Sequence, residues 1–348
     1  MSLEIGVVPT GSKNAITDVS GVLVGHTTLV KGDSIRTGVT AVLPHSENLF
    51  REKVPAAMYV GNGFGKLAGY TQVEELGTIE TPIVLTNTLS VSTAVQALIT
   101  HTLQNPENAE VRSVNAVVGE TNDGYLNNIR GRHVTEQDVL DAIYTASDDS
   151  VAQGNVGAGT GTICFGYKGG IGTSSRKLPE KFGGYTVGVL VQTNFGGDLL
   201  IKGVPAGVAL NPYWKEQFQQ KSDGSCMIVV ATDAPLDARN LKRLAKRATF
   251  GLARTGGIAS NGSGDYVIAF STARSSRVIS TDSLTRTVQI VQNEDMTPLF
   301  WAVIEATEEA ILNSMFLAET TQGRNGHTVE ALPLDKVKQL MQKHGYLP

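Results

Sequence analysis

Residues 221–230 read KSDGSCMIVV, a polar stretch that runs directly into an apolar one. The apolar part, Cys226 to Val230, has no polar alternation, which is typical of a strand covered on both faces. Ser225 stands at the join between the two parts. Gly-Ser pairs are common in loops, so this stretch alone favours a turn residue ahead of a buried strand. A reactive serine here would need support from the rest of the chain.

Short apolar runs closed by Gly, Pro or Asn recur along the chain and predict further strands. Segments with helical periodicity lie between them without strict βαβ alternation, which favours an α+β fold with helices layered over sheets. The predicted strands lie in 38–44, 56–62, 81–87, 113–120, 185–196, 226–235 and 266–272. The predicted helices lie in 90–103, 135–147, 236–255, 297–319 and 334–345.

Local signals set some boundaries of these elements. Thr135 with Asp138 three residues later predicts a helix cap. Thr297 followed by Pro298 predicts a second cap, with proline in the first turn. The polar segment 211–224 is the best candidate for a linker.

Composition excludes several classes of protein. With 348 residues, 41% hydrophobic and 18% charged, the chain is long and apolar enough for a sizeable core. A formal charge of -4 argues against a general nucleic-acid binder. We find no signal-peptide pattern and no run of about 18 apolar residues, so we expect a soluble, cytoplasmic protein without a membrane partner. Cys164 and Cys226 lie in apolar runs, which predicts buried thiols rather than a zinc site.

The glycine-rich segment 154–176 invites a nucleotide-binding interpretation, which its details disfavour. A Walker loop needs Ser or Thr after its lysine, whereas Lys168 is followed by Gly169. A GxGxxG turn should open a helix, whereas TICFGYK (162–168) has the pattern of a strand. The glycines instead suggest loops whose backbone N–H groups approach a ligand.

Polar residues beside predicted strands are the candidates for chemistry. Ser263 and Asp265 precede a strand, and residues i and i+2 of an extended segment point the same way, so they could act on one partner. Glu120 ends a strand, where a carboxylate could receive an ammonium group, and Asn194 could donate to an oxyanion. Polar turns would produce the same patterns.

The usual serine-hydrolase signals are missing from the sequence. The six histidines are scattered, and there is no GxSxG motif. A Ser-His-Asp arrangement would need a histidine brought in from a distant part of the chain.

Taken together, five stretches resemble the L-aminopeptidase/D-esterase family, which includes the β-peptidyl aminopeptidases. The resemblance runs from about Asn14 to about Leu334. It is carried by KNAITDVSGVLVGHTTL, GNVGAGTGTICFGYKGGIGTSSR, VQTNFG, DGSCMIVVATDAP and SNGSGDY.

This resemblance implies an N-terminal-nucleophile-like hydrolase that is made as one inactive chain and cuts itself before a serine. The matching bond is Gly224–Ser225. An α-subunit of residues 1–224 and a β-subunit of 225–348 would then form a single four-layer αββα sandwich. The resemblance also implies a tetramer of such αβ units, with no metal and no cofactor.

Roles for the candidate residues follow from the same resemblance. The new α-amine of the serine has a reference pKa of about 7.7–8.0 and can serve as its base. Ser263 and Asp265 should orient or assist the serine, and Asn194 should stabilise the oxyanion. Glu120 should bind the substrate's free amino group, with Tyr125 near the acyl centre.

The leading hypothesis is therefore a self-processing serine aminopeptidase acting on short peptides, amides or esters through an acyl-enzyme on Ser225. An acyltransferase similar to the ornithine acetyltransferases is an alternative, although those look to use threonine at the cut. A non-catalytic binding protein that is never cut is the third possibility.

Overall fold

Eighteen strands and seven helices can be defined in the computed structural model, which describes residues 3–211, 223–279 and 283–347. Of Asp223 only the backbone is described. The strands are β1 Leu23–Lys31, β2 Ile35–Leu43, β3 Glu52–Gly63, β4 Leu67–Ala68, β5 Thr78–Ile79, β6 Ile83–Asn87, β7 Val117–Thr121, β8 Ile163–Cys164, β9 Tyr167–Lys168, β10 Ile171–Lys177, β11 Thr186–Asn194, β12 Leu200–Ile201, β13 Val204–Pro205, β14 Asp223–Thr232, β15 Gly262–Ser271, β16 Val278–Ile279, β17 Thr321–Gln322 and β18 Thr328–Val329. The helices are α1 Tyr70–Leu76, α2 Val91–Gln104, α3 Glu136–Tyr144, α4 Ala206–Leu210, α5 Ala238–Arg254, α6 Thr297–Phe316 and α7 Leu334–Lys343.

Two sheets lie at the centre of the molecule. The first has the order β1-β2-β6-β7-β4, and the second has the order β10-β11-β14-β15-β3-β16, with β5 also paired to β3. The pairs β6–β7 and β14–β15 are parallel, whereas β11–β14 and β15–β3 are antiparallel. The apolar run of 226–230 therefore forms part of a central strand, as predicted.

Side chains of β14 alternate between two cores and so define the layers. Cys226 and Ile228 join the core under α5 and α6, while Met227 and Val229 join the core between the two sheets. Helices α2 and α3 cover the other face of the first sheet. The order helices, sheet, sheet, helices confirms the predicted α+β, four-layer αββα sandwich. Its division into two subunits stays a prediction.

Of three local predictions, one is confirmed and two are wrong. Thr135 and Asp138 form the predicted reciprocal cap of α3. The cap at Thr297 is wrong, because a 3₁₀ turn runs directly into α6 and leaves Met296 in the capping position, although Pro298 does lie in the first turn. The single strand expected over 162–168 is also wrong: β8 and β9 form a tight hairpin, since Phe165 and Gly166 both have positive φ.

A buried charge cluster fixes the N-terminal segment to α6. The Arg176 side chain is fully buried and pairs with Glu309 at 2.6 Å and with Glu305 at 3.4 Å. Glu305 in turn accepts hydrogen bonds from the backbone N–H groups of Val7 and Val8, each at 2.9 Å. The segment is thus held through a largely buried charge cluster.

Two further expectations concern membranes and linkers. None of the helices in the described part of the chain combines the length and apolar character needed to cross a bilayer. The linker expected over 211–224 lies mostly outside the described residues, which resume at 223.

Candidate active site

Three central strands of the second sheet have their site-bearing ends at the same end of the sheet. Because β14 and β15 run parallel and β11 runs antiparallel to them, β14 and β15 begin where β11 ends. Asn194, the last residue of β11, pairs with Ser225, and Ser225 pairs with Gly264 of β15. Ser225 is therefore held on both sides by neighbouring strands.

The Ser225 hydroxyl lies against the carbonyl group that precedes it. Its Oγ donates to the Gly224 carbonyl oxygen at 2.5 Å and accepts from the Gly264 N–H at 3.3 Å. The side chain is only 5% exposed. Among the described residues its hydrogen-bond partners are backbone groups and not a histidine. The hydroxyl is thus placed beside a possible acyl group, with no conventional base attached to it.

Asn194 lies on the same face as Ser225. Its Oδ1 accepts a hydrogen bond from the Ile163 N–H at 3.0 Å, which fixes the orientation of the amide. The Nδ2 group is then the donor side of this residue. A donor beside a nucleophilic hydroxyl is what stabilisation of a tetrahedral oxyanion requires.

Ser263 and Asp265 share one face of β15, as their spacing predicted, but it is the face opposite to Ser225. Ser263 pairs with Gly224 and Asp265 pairs with Cys226, and Cys226 faces the helix layer. A β-carbon on Gly61 would lie 3.5 Å from Thr249 of α5 and 3.7 Å from the Asp265 β-carbon, which puts Asp265 on that side. The structure thus joins Asn194 to Ser225 and keeps Ser263 and Asp265 together across the sheet.

Asp265 is a buried carboxyl group with a perturbed titration. Burial raises its pKa to about 6, and the nearby Ser263 hydroxyl and Cys226 amide limit this rise. Ser263 Oγ and Asp265 Oδ2 nevertheless lack a hydrogen-bond partner of good geometry among the described residues. Buried, incompletely satisfied polar groups are costly and are more frequent at functional sites.

Glu120 is the last residue but one of β7 in the other sheet and is 3% exposed. Its carboxylate accepts from the Lys66 backbone N–H at 3.0 Å and from the Thr88 hydroxyl. The Lys66 ammonium group lies 3.8 Å from Glu120 Oε1. The carboxylate therefore already faces a primary ammonium group, the kind of ligand proposed for it.

Tyr125 lies further out, 51% exposed, in the loop after β7. Its ring stacks on His327 with centroids 4.3 Å apart, and His327 Nδ1 lies 3.0 Å from the Tyr125 carbonyl oxygen. The position of Tyr125 beside an acyl centre stays a prediction.

Lys168 holds the glycine-rich loop in place, a role that the sequence did not predict. It is fully buried, and its Nζ donates to the carbonyl oxygens of Gly159 and Gly169 at 2.9 and 2.7 Å. Burial lowers its pKa to about 7, partly offset by Cys164 and Asp123. These bonds brace the glycine-rich loop, which carries the Ile163 N–H that holds Asn194.

Several groups around the site come from segments that sequence reasoning did not assign to it. Gly65, Lys66 and Thr88 follow β3 and β6, and only sheet pairing brings them to Glu120. Tyr266 follows Asp265, so the apolar strand pattern concealed its role as a polar neighbour. The two cysteines are free and buried, as predicted.

Comparison with known sequences matches this arrangement to one family. Residues 14–329 match peptidase family S58. The chain is 41% identical over 360 residues to the β-peptidyl aminopeptidase BapA of Sphingosinicella microcystinivorans, covering 96% of this chain and 89% of that protein.

Solved structures show the same fold. The PH0078 protein from Pyrococcus horikoshii OT3 has a TM-score of 0.91 and 48% identity, covering 99% of this chain and 98% of that one. The L-aminopeptidase D-Ala-esterase/amidase from Ochrobactrum anthropi, described as a prototype for the serine aminopeptidases and a new variant of the Ntn-hydrolase fold, has a TM-score of 0.90 and 35% identity, with coverage of 99% and 98%.

Proposed function

The chain belongs to peptidase family S58 and is a serine aminopeptidase with an Ntn-type fold, and we propose that it becomes active by cutting its own Gly224–Ser225 bond. The cut would give an α-subunit of residues 1–224 and a β-subunit of 225–348. The observation that carries this proposal is the Ser225 hydroxyl, 2.5 Å from the Gly224 carbonyl oxygen at the start of a central strand.

The chemistry of the proposed cut balances without a cofactor. Ser225 Oγ adds to the Gly224 carbonyl carbon and loses its proton, the peptide C–N bond breaks, and the departing nitrogen gains a proton. Water then hydrolyses the resulting ester and leaves a Gly224 carboxylate and a free α-amine on Ser225. Proximity supports this step, because the strand holds the hydroxyl next to the carbonyl group and the two need not meet by diffusion.

The free α-amine then replaces the missing histidine. Its reference pKa of about 7.7–8.0 lets it accept the Ser225 hydroxyl proton near neutral pH. Once Gly224 is detached, the Ser225 nitrogen is a free amine at the start of β14, beside Ser263, which pairs with Gly224, and Asp265, which pairs with Cys226. We propose that these two residues orient the amine while Asn194 donates to the oxyanion.

Substrates are proposed to be short peptides, amides and esters with a free amino group. The group binds at Glu120, whose burial and hydrogen bonds support a fixed anionic anchor. The acyl part is transferred to Ser225 Oγ, the amine, ammonia or alcohol leaves, and water releases the acid. Tyr125 is proposed to line the outer part of this path.

The assembly is proposed to be a tetramer of αβ units. Apolar side chains at the surface support further burial: Val7 is 78% exposed and Trp301 52% exposed. Both lie on a groove of about 840 Å³ that also includes Phe182.

Intact mass spectrometry with an SDS gel tests the proposed cut on the purified protein. We expect two fragments, ending at Gly224 and beginning at Ser225, together with hydrolysis of a panel of aminoacyl amides. A fully active protein that remains one intact chain would contradict the proposal.

Asp265 should make stability depend on pH in a defined direction. Because its pKa is raised from 3.8 to about 6, the folded state binds the proton more tightly, and stability is lost as pH rises through this window. Asp265→Asn removes the effect, so its advantage should grow by up to about 3 kcal/mol between pH 3.5 and pH 7.5.

Urea unfolding measures this effect in a Ser225→Ala background, which keeps the chain in one piece. Asp148→Asn is the control, since that carboxylate is 72% exposed. An Asp265→Asn advantage that is equal at both pH values would show that Asp265 titrates normally.

A further inference from the structure

Beside Glu120 lies a second polar group, the hydroxyl of Tyr266 in β15. The tyrosine is 4% exposed as a whole. Its hydroxyl makes no hydrogen bond to the described residues, and the oxygen is not one of their fully buried unpartnered atoms. Burial, reinforced by the charges of Glu120 and Asp265, raises the Tyr266 pKa, so the group remains a neutral phenol.

Gly65 lies close to both this hydroxyl and the carboxylate. A β-carbon on Gly65 would lie 3.0 Å from Glu120 Oε1 and 3.2 Å from the Tyr266 hydroxyl oxygen, so these two oxygens are at most about 6.2 Å apart. An ammonium group with N–O distances of about 2.8 Å can bridge oxygens up to about 5.5 Å apart. Over most of the range that this bound allows, one ammonium group can bridge the two oxygens.

The Tyr266 ring also lies near the proposed nucleophile, Ser225. A β-carbon on Gly264 would lie 2.9 Å from Tyr266 Cε2, and the Gly264 N–H donates to Ser225 Oγ. Tyr266 therefore lies along the path between the ammonium anchor and the reacting hydroxyl. The Lys66 ammonium group, 56% exposed and 3.8 Å from Glu120, shows the chemistry that this anchor accepts.

We propose that the Tyr266 hydroxyl is the second ligand of the substrate's amino group, accepting a hydrogen bond from the ammonium that Glu120 neutralises. This inference rests on the proposed function. The site selects ligands with an unblocked primary amine, and the lack of a side chain at Gly65 leaves both oxygens uncrowded. Tyr266 is thus a substrate-binding residue rather than part of the acyl-transfer machinery.

Two substitutions test the site from opposite directions. Tyr266→Phe keeps the ring and removes the oxygen, and we expect KM for aminoacyl amides to rise about tenfold with kcat changed less than about twofold. Gly65→Ala places a methyl group 3.0 Å from Glu120 Oε1 and 3.2 Å from the Tyr266 hydroxyl oxygen, and this crowding should raise KM at least as much. The matched controls are Tyr59→Phe, on the helix-facing side of β3, and Gly63→Ala, whose new β-carbon would have its nearest contact at 3.6 Å.

Binding of amino alcohols provides a readout that needs no turnover. Alaninol, leucinol and phenylalaninol carry the ammonium group without an acyl bond, and calorimetry on the wild-type protein should show binding that Tyr266→Phe weakens about tenfold. Unchanged KM and amino-alcohol affinity in Tyr266→Phe would overturn the inference. Amino-alcohol binding that depends on Tyr266, in a wild-type protein that hydrolyses nothing, would support the inference and contradict the proposed function.

Discussion

Ser225→Ala is expected to leave the protein as one uncut chain of 36.9 kDa and to lower kcat/KM for aminoacyl amides by at least about 10⁴-fold. The substitution removes the oxygen that lies 2.5 Å from the Gly224 carbonyl oxygen. It also removes the nucleophile of the proposed acyl-enzyme, so the cut and the turnover fail for the same reason. Intact mass and initial rates measure the two effects separately.

Two companion variants sharpen the result. Ser225→Thr retains a hydroxyl and should cut more slowly, while Ser271→Ala removes a serine at the opposite end of β15 and should cut normally. Cleavage between residues 224 and 225 in Ser225→Ala would assign the cut to another group or to a contaminating protease.

Arg176→Met is expected to destabilise the protein by about 3–5 kcal/mol, because it leaves two carboxylates without their buried counter-charge. Glu305 and Glu309 would then remain in an interior from which water is largely excluded. The arginine also donates to the Ile5 carbonyl oxygen at 2.6 Å, so the N-terminal segment should loosen as well. Urea unfolding gives the free energy, and limited proteolysis reports the segment.

Arg254→Met is the matched control for this substitution. Arg254 of α5 pairs at 3.4 Å with Glu308, which lies in α6 between Glu305 and Glu309. The arginine side chain is 49% exposed, so its loss should cost at most about 1 kcal/mol. Adding Glu305→Gln and Glu309→Gln to Arg176→Met should restore part of the lost stability. Equal effects of the two arginine substitutions would mean that the buried cluster contributes no more than a pair whose arginine is half exposed.

The sequence predicted the central strands well because their apolar runs are continuous and covered on both faces. It predicted that Ser263 and Asp265 share a face, since period-two alternation is a local property. Which face they share depends on the register of β15 against β14, and that long-range pairing is not written in either segment. Their separation from the Ser225 hydroxyl therefore emerged only from the fold.

The surroundings of Glu120 were harder to predict for the same reason. Lys66 and Thr88 belong to different connections and reach the carboxylate through strand pairing across the first sheet. In the sequence, Tyr266 looks like one more apolar strand residue. That its hydroxyl lies near Gly65 and Glu120 is visible only in the fold. The failed cap at Thr297 is a smaller example, because a preceding turn displaced the helix start.

The strand order of the second sheet gives the proposed cut a consequence for the molecularity of folding. Residues 225–348 supply β15 and nearly all of β14, and these lie between β11 and β3, which belong to 1–224. Neither fragment can complete the sheet alone. The uncut chain therefore folds in a first-order reaction, whereas a denatured cut enzyme must reassemble in a second-order one. The cut would occur only in the folded state, and the two fragments would regain that state with difficulty after denaturation.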